Sequence, residues 1–193
     1  MDNIKERKVA VLGHRGVGKS SLVFQYIENA FVSNYYPTIE NIVEKQVEFR
    51  GSKYNIAIYD TAGQDEFSQL NSRYTVGVQA FIVVYSVNSR ESYEMAITIH
   101  DKLVDQTGNQ HVNMVLVGNK TDLADSRVVS YDEAKGLAQE FGCPYIESSA
   151  KNKVNIEEIF VRAAFREEIE AEVAEAKKKE DAQKKNGGVC TIM

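Results

Sequence analysis

Gly13-His14-Arg15-Gly16-Val17-Gly18-Lys19-Ser20 fits the pattern G-x-x-x-x-G-K-[ST]. An apolar run, Lys8-Val9-Ala10-Val11-Leu12, leads into it, and an amphipathic segment, Ser21 to Ile27, leads out. Strand, tight loop and helix in that order are the context in which this pattern cradles phosphate. The glycines let the backbone curl until successive N–H groups point inward. The helix N-terminus adds partial positive charge. Lys19 is placed to reach β- and γ-phosphates, and the Ser20 hydroxyl to take one Mg²⁺ position. The expected ligand is a nucleoside triphosphate with Mg²⁺.

Beyond this unit, apolar runs alternate with helical patterns. Residues 7–12 read as a strand and 19–28 as a helix. Val43 to Phe49 and Tyr54 to Tyr59 read as a hairpin joined by Arg50-Gly51-Ser52-Lys53. Residues 80–85 and 113–117 are short apolar runs, as in strands buried on both faces. Helical patterns fill 91–107 and 131–141, a short strand 144–147, and a closing helix begins near Asn155. Ile156, Ile159, Phe160, Ala163 and Ala164 mark its core stripe. The expected fold is α/β: three layers around a doubly wound, mostly parallel six-stranded sheet with one antiparallel edge strand. Ligands of such sheets bind at the carboxyl ends of the strands.

The remaining polar motifs fall at those ends. Asp60-Thr61-Ala62-Gly63-Gln64 follows the third strand. Asp60 is placed for a second Mg²⁺ contact through water, and Gly63 for a close backbone approach to the γ-phosphate. An ordinary strand-to-loop turn has the same composition. Asn119-Lys120-Thr121-Asp122 follows the fifth strand. The Asp122 carboxylate can accept from both N1–H and the 2-amino group of guanine, a pair that adenine lacks. Asn119 can tie this loop to the phosphate loop, and the Lys120 stem can lie on the base. Ser148-Ser149-Ala150-Lys151 follows the sixth strand, offering N–H groups to the guanine oxygen or an N-cap to the next helix.

With these residues in place, the chain resembles the Ras superfamily of small GTPases over residues 5–172, most of all its Rheb branch. Supports are Arg15, Pro37-Thr38-Ile39-Glu40-Asn41, Leu116 to Lys120, Glu147 to Lys151 and the final Met193. The resemblance implies a P-loop small G domain over 1–172 and a tail over 173–193. It implies nucleotide contacts from Gly16, Val17, Gly18, Lys19, Ser20, Ser21, Phe31, Val32, Tyr35, Thr38, Gly63, Asn119, Lys120, Asp122, Ser149, Ala150 and Lys151. Mg²⁺ would be held by Ser20, Thr38 and, through water, Asp60. Gln64 would orient the attacking water. The implied activity is slow hydrolysis of GTP to GDP and phosphate by a monomeric switch. Implied partners are an exchange factor, a tuberin-type GTPase-activating protein and a target-of-rapamycin kinase complex as effector.

Arg15 stands where most Ras-like loops carry Gly. Its side chain can crowd the γ-phosphate and Gln64, act as a cationic finger in cis, or point into solvent. Gly16 and Tyr36 stand where the Rheb branch normally has Ser and Asp. A kinase using the same loop would need an acceptor site and lid, for which no segment is spare. A Rab-type protein would generally end with two prenylatable cysteines.

Cys190-Thr191-Ile192-Met193 fits C-a-a-X, with Met favouring farnesyl on Cys190. Residues 177–185 carry five Lys against two acids, a composition read as a flexible, lysine-containing tail. Reversible attachment to the cytoplasmic face of internal membranes, with a cytosolic pool, is expected. The net charge of −5 argues against general nucleic-acid binding. The charged N-terminus lacks an apolar signal core, and Asp2 excludes N-myristoylation. Two cysteines, Cys143 and Cys190, make no disulfide framework.

Overall fold

A computed structural model describes residues 4–32, 40–65 and 74–186 of the chain, with 177–186 as backbone. Six strands form one sheet in the order β2-β3-β1-β4-β5-β6. They are β1 (Lys5–Gly13), β2 (Asn41–Phe49), β3 (Ser52–Asp60), β4 (Ala80–Ser86), β5 (Met114–Asn119) and β6 (Tyr145–Glu147). All neighbours pair parallel except β2, which runs antiparallel to β3 at the edge. The helices are α1 (Lys19–Glu28), α2 (Arg90–Thr107), α3 (Tyr131–Glu140), α4 (Ile156–Ala164) and α5 (Arg166–Asn186).

Period-two alternation assigns each strand residue to a layer. Val9, Val11, Ile56, Ile58, Val115 and Val117 pack with Leu22 and Tyr26 of α1 and Ile159 and Phe160 of α4. The intervening Ala10, Leu12, Phe81, Val83, Met114 and Leu116 pack with Ile99 and Leu103 of α2 and Ala134 and Ala138 of α3. Both faces of the central strands are thus covered, which explains their unbroken apolar runs. Strand β2 alternates exposed with half-buried residues, as an edge strand does.

The hairpin is tighter than its sequence suggests. Only Arg50 and Gly51 lie between the paired residues Phe49 and Ser52. Their φ values are 51° and 71°, the double left-handed geometry of a two-residue primed turn. Arg50 accepts that conformation while its guanidinium holds α5, donating to the Glu168 carbonyl at 3.0 Å and pairing with the Glu172 carboxylate.

The C-terminal segment departs further from expectation. The closing helix breaks at Phe165 (φ −128°, ψ 25°), and α5 then runs on to Asn186. Helix therefore covers much of the stretch read as a flexible tail. Lack of an apolar stripe argued against structure there, but Ala, Glu, Lys and Gln are strong helix formers. Acids lie in the first turn and lysines farther along, matching the helix dipole. Phe165 stacks on Phe49 with ring centroids 4.0 Å apart, and Arg7 pairs with Glu168 at 2.6 Å. No helix among the described residues is long and apolar enough to cross a membrane.

Candidate functional site

Strand β1 ends at Gly13, where the chain turns through the phosphate loop into α1. Two glycines are required there by geometry. A Cβ on Gly13 would stand 2.2 Å from the Val84 carbonyl oxygen. Gly18 has φ 97°, and its Cβ would stand 2.4 Å from Asn119 Nδ2. The second contact brings the base-side loop directly against the phosphate loop.

Lys19 is 5% exposed, and its ammonium donates to the carbonyls of Gly13 (2.9 Å) and His14 (3.1 Å). Burial lowers its pKa to about 8, with the Asp60 charge acting in the opposite direction. Asp60 ends β3 and is 6% exposed. Burial raises its pKa, while a hydrogen bond from Ser20 and the Lys19 charge pull it down. Thr61 beside it anchors the turn by donating to the Val11 carbonyl at 2.7 Å. Asp60 Oδ1 is buried with no hydrogen-bond partner among the described residues.

That orphaned oxygen, next to the Ser20 hydroxyl and the phosphate loop, fits a hydrated Mg²⁺. No cluster of three or more His, Cys, Asp or Glu exists among the described residues. A cation here would draw its remaining oxygens from water and phosphate, as Mg²⁺ usually does.

The base-side loops are tightly cross-linked. Asn119 is 1% exposed, and its Nδ2 donates to the Val17 carbonyl at 2.8 Å. Its Oδ1 accepts from Ser148 Oγ (3.2 Å) and Ala150 N (3.3 Å). Thr121 donates to the Ser148 carbonyl through both its N–H and its hydroxyl. Ser149 Oγ donates to Asp122 Oδ1 at 2.6 Å and accepts from Asn152 N at 3.0 Å. The Ser149 hydroxyl therefore orients Asp122 and closes a local turn. The α4 cap position falls to Asn155, whose side chain does not cap but donates to the Glu147 carbonyl.

One cleft of about 770 Å³ joins these groups. Gly16, Gly18, Lys19, Ser20, Ser21, Asp60 and Gly63 line it on one side, and Asn119, Lys120, Asp122, Ala150 and Lys151 on the other. Phe31 and Val32 also line it, 41% and 49% exposed. Val17 and Ser149 stand behind the wall, contributing the carbonyl and hydroxyl described above. Tyr35, Thr38 and Cys190 lie outside the described residues.

The sequence did not point to Phe24, Ile27, Val43 and Leu123, which extend the cleft wall with apolar surface. The available signal was their placement: Phe24 falls between the core positions of α1, and Leu123 interrupts a polar turn.

Three further loop residues complete the surroundings of the phosphate loop. Gln64 is 7% exposed, does not line the cleft, and donates from Nε2 to the Ala62 carbonyl at 3.2 Å. Its backbone N–H donates to Gly13 O at 3.0 Å, and this parallel bridge holds it against the phosphate loop. Gly63 is crowded by the chain itself: a Cβ there would stand 2.5 Å from Arg15 Cα. The Arg15 side chain is 65% exposed and pairs with Asp65 at 3.6 Å, and the residue also lines the cleft.

The Ras family model matches residues 8–169, carrying every base- and phosphate-side motif on the cleft. The chain belongs to the Ras family. Within it the chain is Rheb-like. It is 47% identical over 160 residues to GTP-binding protein rhb1 of Schizosaccharomyces pombe, covering 83% of this chain and 86% of that one. It is 40% identical to GTP-binding protein Rheb of Homo sapiens over 193 residues, the whole length of both. A Rheb homolog of Dictyostelium discoideum is 43% identical over 156 residues, 81% of this chain and 84% of its own. This Ras-family chain therefore carries a small G domain, and membership implies guanine-nucleotide binding and GTP hydrolysis.

Proposed function

We propose that this protein is a Rheb-type switch that binds GTP with Mg²⁺, hydrolyses it slowly to GDP and phosphate, and engages its effector in the GTP form. The observation that carries the reading is Asn119: one buried side chain bonds the phosphate loop, the Asp122 loop and the Ser149-Ala150 loop together. Phosphate and base recognition are thereby coupled in one cleft. Lys19 and the loop amides hold the phosphates, and Ser20 and Asp60 supply the protein side of the cation site. Mg²⁺, when bound, neutralises charge on the β- and γ-phosphate oxygens. The effector is a target-of-rapamycin type kinase complex. An exchange factor opens the cleft, and a tuberin-type activating protein supplies the missing catalytic group. Farnesyl on Cys190 gives reversible attachment to internal membranes.

Denaturing the purified protein and chromatographing the released material tests the reading. Guanine nucleotide is expected; adenine nucleotide, or no purine with Mg²⁺ abundant, overturns it. Ser20→Asn is expected to weaken Mg²⁺-coupled GTP binding and favour the GDP form. Unchanged GTP affinity on titration removes Ser20 from the cation site.

A second reading is a GTP-binding module with negligible turnover. The buried Gln64 side chain favours it, because a residue turned away from the cleft cannot orient water without rearrangement. Single-turnover phosphate release from GTP-loaded protein separates the two: a measurable first-order release supports the switch, and none over many hours supports the module.

A further inference from the structure

Beneath the two base-side loops runs a chain of polar groups that neither phosphate binding nor hydrolysis employs. Tyr85 of β4 and Tyr145 of β6 have their hydroxyls 2.7 Å apart. Tyr145 also donates to Glu147 Oε1 at 2.9 Å. Since Tyr145 has one proton to give, Tyr85 is the donor in the first bond. Glu147 receives both arms of Arg127, at 2.7 and 3.0 Å. Arg127 closes the short helical turn Thr121–Ser126, on which Asp122 sits, and reaches the Val129 carbonyl at 3.2 Å.

Both phenols press on Gly118. A Cβ there would stand 2.7 Å from the Tyr145 hydroxyl and 2.8 Å from that of Tyr85. Gly118 immediately precedes Asn119, and Glu147 immediately precedes Ser148 and Ser149. One hydroxyl thus touches the stems of both loops that frame the base. Burial, the largest cause, holds both phenols above their ordinary pKa.

We propose that Tyr145 is a positioning residue for base recognition, fixing Asp122 through Glu147 and Arg127 while supporting the backbone at Gly118. This rests on the guanine-nucleotide reading above. A phenylalanine fills the same space but leaves Tyr85 without an acceptor and Glu147 short of a donor. Asp122 then holds a less defined orientation, and a base that uses both its hydrogen bonds loses more than a base that uses one.

GDP and inosine diphosphate supply that contrast, because hypoxanthine lacks the 2-amino group. With the full chain, Tyr145→Phe is expected to raise the GDP dissociation rate about five- to tenfold and the inosine diphosphate rate less than about twofold. Tyr85→Phe, which keeps the Tyr145–Glu147 bond, is expected to change either by less than about threefold. Ile56→Val, buried on the other face of the sheet, is a control that lowers the melting temperature without moving the GDP preference. An unaltered preference in Tyr145→Phe, whatever its melting temperature, overturns the proposal. Should that variant not fold, Glu147→Gln carries the same test and the same expected direction. Equal affinity for the two nucleotides already in the wild-type chain overturns the guanine reading itself.

Discussion

The two ends of the cleft are built on opposite principles. At the phosphate end, polar groups are buried without full satisfaction. Lys19 is desolvated enough to bring its pKa to about 8, and Asp60 Oδ1 has no partner among the described residues. At the base end, Asn119 is engaged with Val17, Ser148 and Ala150, and Asp122 with Ser149. Buried, desolvated charge and an unpartnered oxygen store free energy that an incoming phosphate and cation would release. A pre-formed hydrogen-bond frame contributes little to gross affinity, but it penalises a base that fits it badly. On the proposed function, the difference would separate where tight binding comes from and where selectivity comes from.

Removing the stored charge gives the largest expected effect. Lys19→Met should weaken GDP binding about 100-fold, as loss of charge-assisted hydrogen bonds predicts. Calorimetric titration measures it. A loss below tenfold would break the contrast. Asn119→Ala should do the reverse, costing the nucleotide-free protein about 2 kcal/mol because buried partners are left unpaired. Denaturant unfolding reads this directly, and an unchanged midpoint would show that the base end is not pre-formed.

Proton linkage sharpens the same comparison. Nucleotide-free Lys19 loses its proton as pH rises through about 8, whereas phosphate favours the charged form. Binding above that pH must therefore take up a proton, and GDP affinity should fall by up to about tenfold per pH unit there. Titration in buffers of different ionisation enthalpy detects the proton, and Lys19→Met should abolish the uptake. The smallest effect belongs to Arg15. Its exposed pairing with Asp65 predicts that Arg15→Gly changes single-turnover hydrolysis by less than about threefold. A larger gain would restore the view that Arg15 crowds the γ-phosphate.

Much of this was legible in the chain because the signals were local. The alternation of buried strands with amphipathic helices gave the sheet and its two faces. The motifs that follow β1, β3, β5 and β6 were bound to meet once those strands lay side by side. What misled was local composition read without its neighbours. The stretch after Val173 has few apolar residues, yet α5 continues through it on propensity and charge order. The link 50–53 contains only one glycine, yet Arg50 itself adopts the left-handed turn while reaching α5.

Residue types and their order along the chain determined the glycine loop after β1, the acid that ends β3 and the Asp122 loop after β5, since those features depend on backbone freedom and donor–acceptor pattern. Only tertiary structure decided which way side chains face once several loops compete for one space. Gln64 is buried beside the phosphate loop, to which its backbone is bridged. Gly63 is small because Arg15 is there. Asn119 became the junction because Gly18 and Val17 of a distant loop pack against it.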